Sequence, residues 1–409
     1  MNFFLKNSQL LANKSLILFS FSIATFPIVS SIVLIVFSAF NVFYGYIKRK
    51  EIKRVNFSGY IAIWGLLVMY LVALTYSPNL SYSAKYLSRS VALVLIPFVF
   101  WCRGGMDTKL YSEVTKYFIL GVLTSCVLSL SISLIAFFQT GDINHFTYYE
   151  LAETIDLHPT YFSLFILTAL VFLSKQRNIS NLFKFIISLT CLATLMLLQS
   201  RIALFGLTGL IIYSYLNTST KFFKKLILFG SIIIVLIGIN STDLSSRIIE
   251  VVDFEPSLEA VGTFDENGIN QRFWLWSAAF GQIKERPLLG YGLGAQRNLF
   301  KWQVQKGFLQ QEFNYELFLA GKNLSDKNLH NQYLQLWYEG GVLGLLLFLM
   351  ALISMFYKHN KNKSFGKLSV LLIFSIFLIT ENMMARQMGI FFYAFIFSFF
   401  LSESKESTV

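Results

Sequence analysis

Apolar runs of membrane-spanning length follow one another along almost the whole chain. A helix that crosses a bilayer needs about 20 mostly apolar residues. By that measure about twelve spans are expected, near 8–25, 27–46, 58–76, 90–102, 115–138, 159–174, 182–199, 202–216, 223–240, 333–357, 367–383 and 388–402. The backbone finds no water in hydrocarbon, so unbroken runs of this kind fold as helices. The chain is 55% hydrophobic and 14% charged, where soluble domains carry about 25% charged residues. The fold expected is an all-α integral membrane protein. Forty-three Phe against six Pro suits long helices facing lipid.

The runs stop for one long polar stretch. This divides the chain into transmembrane helices 1–9 (1–240), a loop with amphipathic helices (241–331) and transmembrane helices 10–12 (332–409). Loops of this length are uncommon and usually functional. A second polar segment, GDINHFTYYELAETIDLHPTYFSLF (Gly141 to Phe165), is acidic and aromatic.

The net charge of +12 could suggest nucleic acid, but the charges sit in short clusters between apolar runs, which is a topology signal. With both termini in the cytoplasm, the inside clusters are Lys48, Arg49, Lys50, Lys53 and Arg54; Arg103 and Lys109; Lys175 and Arg177; Lys221, Lys224 and Lys225; Lys358, Lys361, Lys363 and Lys367. The short segments SPNLSYSAKYLSR and Gln199–Arg201, and the long loop, then lie outside. In a cell with two membranes that face is periplasmic and the membrane is the inner one. Lys6 and Lys14 precede an apolar run without a small-residue cleavage site, so the first span is read as retained.

Cys102, Cys126 and Cys191 lie in or beside apolar runs and read as small buried hydrophobes. No GxxxxGK[ST] occurs. GYGLGA (Gly290 to Ala295) follows no strand and reads as a turn after Pro287. No DxD or His/Asp ligand cluster is visible. Neither a metal nor another cofactor is expected, and nucleic acid is not expected as a partner.

The candidate chemistry lies on the outer face. Arg201 sits in QSR between two apolar runs. It either snorkels to anchor a helix end or holds an anion. Arg272, Trp276 and Phe280 share a helical face in RFWLWSAAFGQI, as in an amphipathic helix lying in the interface. His330, Tyr333 and Trp337 fall on one face if the helix begins there, with Asn331 placed to cap it. Gly340, Gly341 and Gly344 would let another helix approach closely. His158 precedes Pro159 at the start of a span. Glu150, Glu153 and Asp156 could pair with arginines of the long loop. Glu381 and Arg386 could pair with each other. Arginine forks suit pyrophosphate oxygens, and histidine suits proton transfer near neutral pH. Together they suit transfer from a lipid pyrophosphate.

Ser200–Arg201 after a span, Arg272-x-Trp274 with PLLGYGLG (Pro287 to Gly294), and HNQYLQLWYEGGVLGL (His330 to Leu345) resemble the O-antigen ligase and polymerase superfamily. The resemblance is strongest over about residues 185–350. It implies a GT-C-like glycosyltransferase fold with one long periplasmic loop. It implies an undecaprenyl-pyrophosphate-linked glycan as donor and metal-independent transfer to a sugar hydroxyl, such as that of a lipid A core, at the lipid surface. Arg201 and Arg272 would match the pyrophosphate-binding arginines and His330 the essential histidine. His158, Asn331 and Trp276 join them as candidate substrate contacts. The polymerase, which extends a lipid-linked glycan, stays open as an alternative. The acids Asp253, Glu255, Glu259, Asp265 and Glu266 match no family motif. A lipid or glycan transporter would place ionisable or helix-breaking residues at midplane, where this chain has almost none.

Overall fold

A computed structural model describes residues 2–52, 58–217, 269–299 and 328–403. The span expected at 223–240, the clustered Lys221, Lys224 and Lys225, and the five unmatched acids of the loop lie outside the described residues.

Among the described residues the regular structure is helical. The helices are α1 (Asn2–Ile23), α2 (Pro27–Ile47), α3 (Ser58–Leu74), α4 (Leu80–Arg89), α5 (Ala92–Arg103), α6 (Thr108–Thr140), α7 (Tyr148–Glu153), α8 (Pro159–Lys175), α9 (Asn181–Leu197) and α10 (Arg201–Asn217). After the polar stretch begins come α11 (Ile269–Ile283), α12 (Gln332–Lys361), α13 (Phe365–Thr380) and α14 (Gln387–Ser402). Among the described residues four segments are long and apolar enough to cross a membrane: Pro27–Ile47, Leu80–Arg103, Thr108–Thr140 and Gln332–Lys361. Shorter apolar helices accompany them, including Pro159–Lys175, Phe365–Thr380 and Gln387–Ser402.

Local chemistry accounts for the helix starts. Pro27 opens α2 at a position where its missing N–H costs nothing. Asp107, Ser180 and Asn331 cap α6, α9 and α12 through side-chain oxygens. SPNLSYSAKYLSR is not the loop expected. Asn79 caps its continuation, which forms α4 with Ser83 and Tyr86 turned inward. Its polar residues face out on one side only, so a hydropathy window averages them into a loop.

Helices α8 and α14 are buried nearly all round, as expected of helices that are apolar on every face. Their phenylalanines interlock with those of α1, α2, α5 and α6. Phe19 stacks on Phe37 at 4.9 Å and Phe395 on Phe399 at 5.5 Å. Such ring pairs add about 0.5–1.5 kcal/mol beyond area burial.

The bundle has two chemically different ends. At one, Gly45 meets the backbone of Cys102, Met106 N–H donates to Ser402 O, and Gly366 lies against Lys175. Lys367 pairs with Glu403, and Gln176 bonds Ser112. The clusters around Lys48, Arg103, Lys109, Lys175 and Lys367 therefore share that end. At the other, the amide of Gln387 donates to Ser31 at 2.6 Å, and Met384 N–H donates to Gln332 Oε1 at 2.8 Å. Tyr161 hydroxyl reaches Asn382 and Met383 carbonyls at 3.4 Å. The starts of α2, α8, α12 and α14 and the end of α13 meet there.

A histidine, a carboxylate and two arginines at one end of the bundle

The site begins with a broken helix. Within α12, Gly341 takes φ 64 and ψ −170, a conformation essentially reserved for glycine. Tyr333 and Phe348 flank this break with ring centroids 6.2 Å apart. In a straight helix they would stand about 22 Å apart. The chain folds back on itself there, and Gly340 and Gly344 receive Met69 of α3.

The break frees backbone groups, and PLLGYGLG takes them. Val342 N–H, which would donate to Tyr338 O in an unbroken helix, donates to Pro287 O at 2.8 Å. Tyr338 O accepts instead from Tyr291 N–H at 2.9 Å, and Glu339 O from Gly292 N–H at 3.0 Å. A Cβ on Gly290 would lie 2.5 Å from Tyr338 O, and one on Gly341 2.0 Å from Leu288 O. The glycines are thus demanded by backbone contact. The buried carboxylate of Glu339 accepts from Gly294 N–H at 2.9 Å and Gln335 at 2.7 Å. Ser77 and Ser83 hydroxyls donate to Leu293 O at 2.8 and 2.6 Å. Gly290–Ala295 is a turn, as expected, and its role is to lock the polar segment onto α12, α3 and α4.

Helix α11 packs on the same platform. Leu275, Ala278, Ala279 and Ile283 join Tyr291, Leu299, Leu334 and Tyr338 in a small separate core. Trp276 donates its indole N–H to Leu329 O at 2.7 Å, so it fastens the segment that presents His330. Phe280 lies edge-to-face on Trp337 at 6.2 Å. Far from simply lying on lipid, α11 has one face packed against protein. Nothing is described of the Trp274 side chain.

His330 stands just before α12 with φ 47, outside the helix. Asn331 Oδ1 caps that helix through Leu334 N–H at 3.0 Å. Tyr333 bonds Ser375 O on α13, whereas Trp337 bonds Pro287 O. The single face expected for His330, Tyr333 and Trp337 is therefore not formed, because His330 leaves the helical path.

His330 Nδ1 lies 3.7 Å from Glu381 Oε2, and both side chains are largely buried. The pairing expected for Glu381 was Arg386. Among the described residues the Glu381 carboxylate instead approaches the His330 imidazole, since the end of α13 abuts the start of α12. Burial alone would raise the Glu381 carboxyl; contact with His330 and the fields of His330, His158 and Arg272 outweigh it and hold it at about 2.

His158 caps α8 by accepting Thr160 N–H on Nδ1 at 3.2 Å. Its Nε2 is 3.1 Å from the Tyr149 hydroxyl. With Nδ1 accepting, the neutral ring carries its proton on Nε2. Burial lowers this imidazole to about 4; Glu381 opposes the shift, and Arg386, His330 and Arg272 add to it. His158, His330, Glu381, Arg272 and Arg386 thus form one electrostatic group. Among the described residues Glu150 lies 2.6 Å from His145 Nδ1. Arg272 Nε and His330 Nδ1 are buried and take no hydrogen bond among the described residues.

Arg201 opens α10 directly after Ser200, and Gln199, two residues before it, has φ 45. Just inside α10, Gly206 meets Phe377 near the end of α13. Arg201 therefore stands at the same end of the bundle as Glu381. Sequence reasoning missed the partnership of Glu381 with His330 and the contribution of Arg386. The one available signal was two charges in a short apolar-flanked connection.

Comparison with known proteins adds the following. Residues 186–349 match the family described as O-Antigen ligase. That stretch contains Arg201, Arg272 and His330, and stops short of Glu381 and Arg386. An uncharacterized protein of Haemophilus influenzae is 26% identical over 205 residues, a match covering 48% of each chain. This chain thus spans about half the length of that relative.

Proposed function

We propose, for a chain whose residues 186–349 match the family described as O-Antigen ligase, that it transfers a glycan from undecaprenyl pyrophosphate to a sugar hydroxyl at the outer face of the inner membrane. A lipid A core is the acceptor that fits this reading best. The observation that carries it is the gathering of His330, Glu381, His158, Arg272 and Arg386 at the end of the bundle opposite the basic clusters. Basic loops stay in the cytoplasm, so the gathered groups face outward.

The transfer balances without nucleotide energy. The acceptor oxygen attacks C1 of the donor's first sugar, and the C1–O bond to phosphate breaks. The bonding pair leaves on undecaprenyl diphosphate, whose new charge Arg272 and Arg201 stabilise through bidentate hydrogen bonds. The hydroxyl proton passes to His330. Glu381 holds that imidazole in place and stabilises it once it is charged, as a buried carboxylate does for a general base. Asn331 and Trp276 act through position: one caps the helix beside His330, the other ties Leu329. His158 closes the site on the α8 side.

The test is glycan transfer by purified protein in detergent, with lipid-linked donor and acceptor, EDTA, and neither nucleotide nor ion gradient. Product with intact wild-type protein is expected. Movement of labelled lipid between leaflets without glycosidic product would overturn the reading in favour of a transporter. The sister polymerase is separated by acceptor choice: a second lipid-linked repeat in place of a lipid A core.

A further inference from the structure

Beside the histidine cluster lies a cavity of about 500 Å³ whose lining includes Pro27, Arg89, Asp156, His158, Arg386 and Gln387. The family match over 186–349 does not reach Arg89, Asp156, Arg386 or Gln387, and the transfer described above gives none of the four a contact with donor or acceptor. The cavity is within the range of small-molecule sites, about 300–1,000 Å³.

Its walls come from four places in the chain: the start of α2, the end of α4, the segment before α8, and the start of α14. The two guanidinium groups approach from α4 and α14. Arg89 Nη1 donates to Ala385 O at 3.3 Å, which holds α4 beside the residue preceding Arg386. Gln387 is fixed by its bond to Ser31. Asp156 adopts φ 56, a left-handed conformation that Asp tolerates, and is the carboxylate among the described residues that line the cavity. The lining thus carries two arginines and the Asp156 carboxylate.

His158 is the shared wall. It lines the cavity and is electrostatically coupled to His330, Arg272 and Glu381. A molecule in the cavity would therefore reach the reacting centre from the α8 side. Donor pyrophosphate is already served by Arg272 and Arg201, so a second arginine pair calls for a second anion.

We propose that this cavity is the acceptor subsite and that it selects an acceptor bearing phosphate: Arg89 and Arg386 grip the phosphate while Asp156 and Gln387 bind sugar hydroxyls. The proposal rests on the transferase reading for the word acceptor. It adds that a neutral saccharide is a poor acceptor.

Binding tests it without catalysis. Full-length protein in phosphatidylcholine nanodiscs is titrated with a fluorescent bisphosphorylated diglucosamine lipid and with its dephosphorylated form. Tighter binding of the phosphorylated probe by tenfold or more is expected. Arg89→Gln and Arg386→Gln should each lose most of that preference, and Arg386→Lys should keep part of it. Both glutamine variants alter exposed side chains, and monodisperse elution with an unchanged melting midpoint verifies their fold.

Equal affinity for the two probes, or a preference that survives the double glutamine variant, overturns the proposal. Full competition by phosphatidylglycerol in the nanodisc would make the cavity a lipid-headgroup site and overturn it equally. The outcome is independent of the transfer assay. If wild-type protein makes no product yet prefers phosphate through Arg89 and Arg386, the transferase reading fails and the anion site stands. If product forms and the preference is absent, the reverse holds.

Discussion

His330 and Glu381 face each other across 3.7 Å, one from the start of α12 and the other from the end of α13. Both termini are held by Gln332 and Met384, joined at 2.8 Å. The pair is therefore built by backbone elements rather than by two mobile side chains. Removing the charge of Glu381 with little change in shape, as in Glu381→Gln, should lower turnover by about 10²-fold or more while leaving donor affinity nearly unchanged. His330→Ala should cost about 10²–10⁴-fold. Transfer kinetics with separated kcat and KM decide this, and a pure KM effect in Glu381→Gln would refute the positioning role.

Arg272 should respond to chemistry as well as charge. Arg272→Lys keeps the positive charge and loses the planar fork that matches diphosphate oxygens. A fall in kcat of about 10²–10³-fold is expected for Arg272→Ala, the scale seen when one stabilising donor is removed. The lysine variant should fall between wild type and alanine. Membrane insertion, read from proteolysis of the folded protein, should be normal in both.

Gly341→Ala should be far more damaging than Gly344→Ala. At Gly341 the added carbon meets a fixed carbonyl at 2.0 Å and a glycine-only backbone conformation. At Gly344 the nearest atom, at 2.8 Å, belongs to the flexible Met69 side chain. The expected readout is the melting midpoint in detergent, with Gly341→Ala losing the docked Pro287–Gly294 segment to limited proteolysis. Equal midpoints would refute the argument.

Asn331 offers a way to separate capping from substrate contact. Asn331→Ala should cost about 1 kcal/mol through the lost cap, whereas Asn331→Ser and Asn331→Asp should restore most of it. Activity that follows stability across the three variants identifies a positioning role. Activity that collapses in Asn331→Ser despite restored stability identifies direct substrate contact.

Acid should destabilise the fold through His158 before it does so through Glu381. In the folded chain His158 is held at about 4, below its ordinary value near 6.5. Between those limits the unfolded chain binds a proton that the folded chain refuses, so stability falls as pH drops through that window. The contribution is on the order of 3 kcal/mol, present in full only above the window. Glu381 is depressed below the ordinary carboxylate range, so its contribution is intact at neutral pH and is lost as pH falls toward about 2. His158→Asn should flatten the difference in melting midpoint between pH 7 and pH 5. An unchanged difference would refute the assignment.

The bundle and part of the site were legible because the information is local. An apolar run declares a span by its own length. Lys and Arg clusters declare an end of the bundle by their place between runs. Asn331 was readable as a cap because a cap acts on residues three positions away. Arg272 and His330 stood out as polar chemistry beside apolar surface. The amphipathic α4 was missed because its apolar side has the period of a short helix and not the length of a span.

Membrane location of the apolar helices, the two-ended charge plan and the presence of a histidine and arginines beside the polar stretch were determined by the amino-acid order itself, since each depends on neighbours along the chain. Tertiary structure alone decided that Glu381 would serve His330, that Arg386 and Arg89 would share a cavity, and that Gly341 would break α12 to receive Tyr291 and Gly292. These partners are brought together by the packing of α8, α12, α13 and α14. Electrostatic and backbone contacts form wherever that packing leaves unlike charges or unpaired N–H and carbonyl groups side by side.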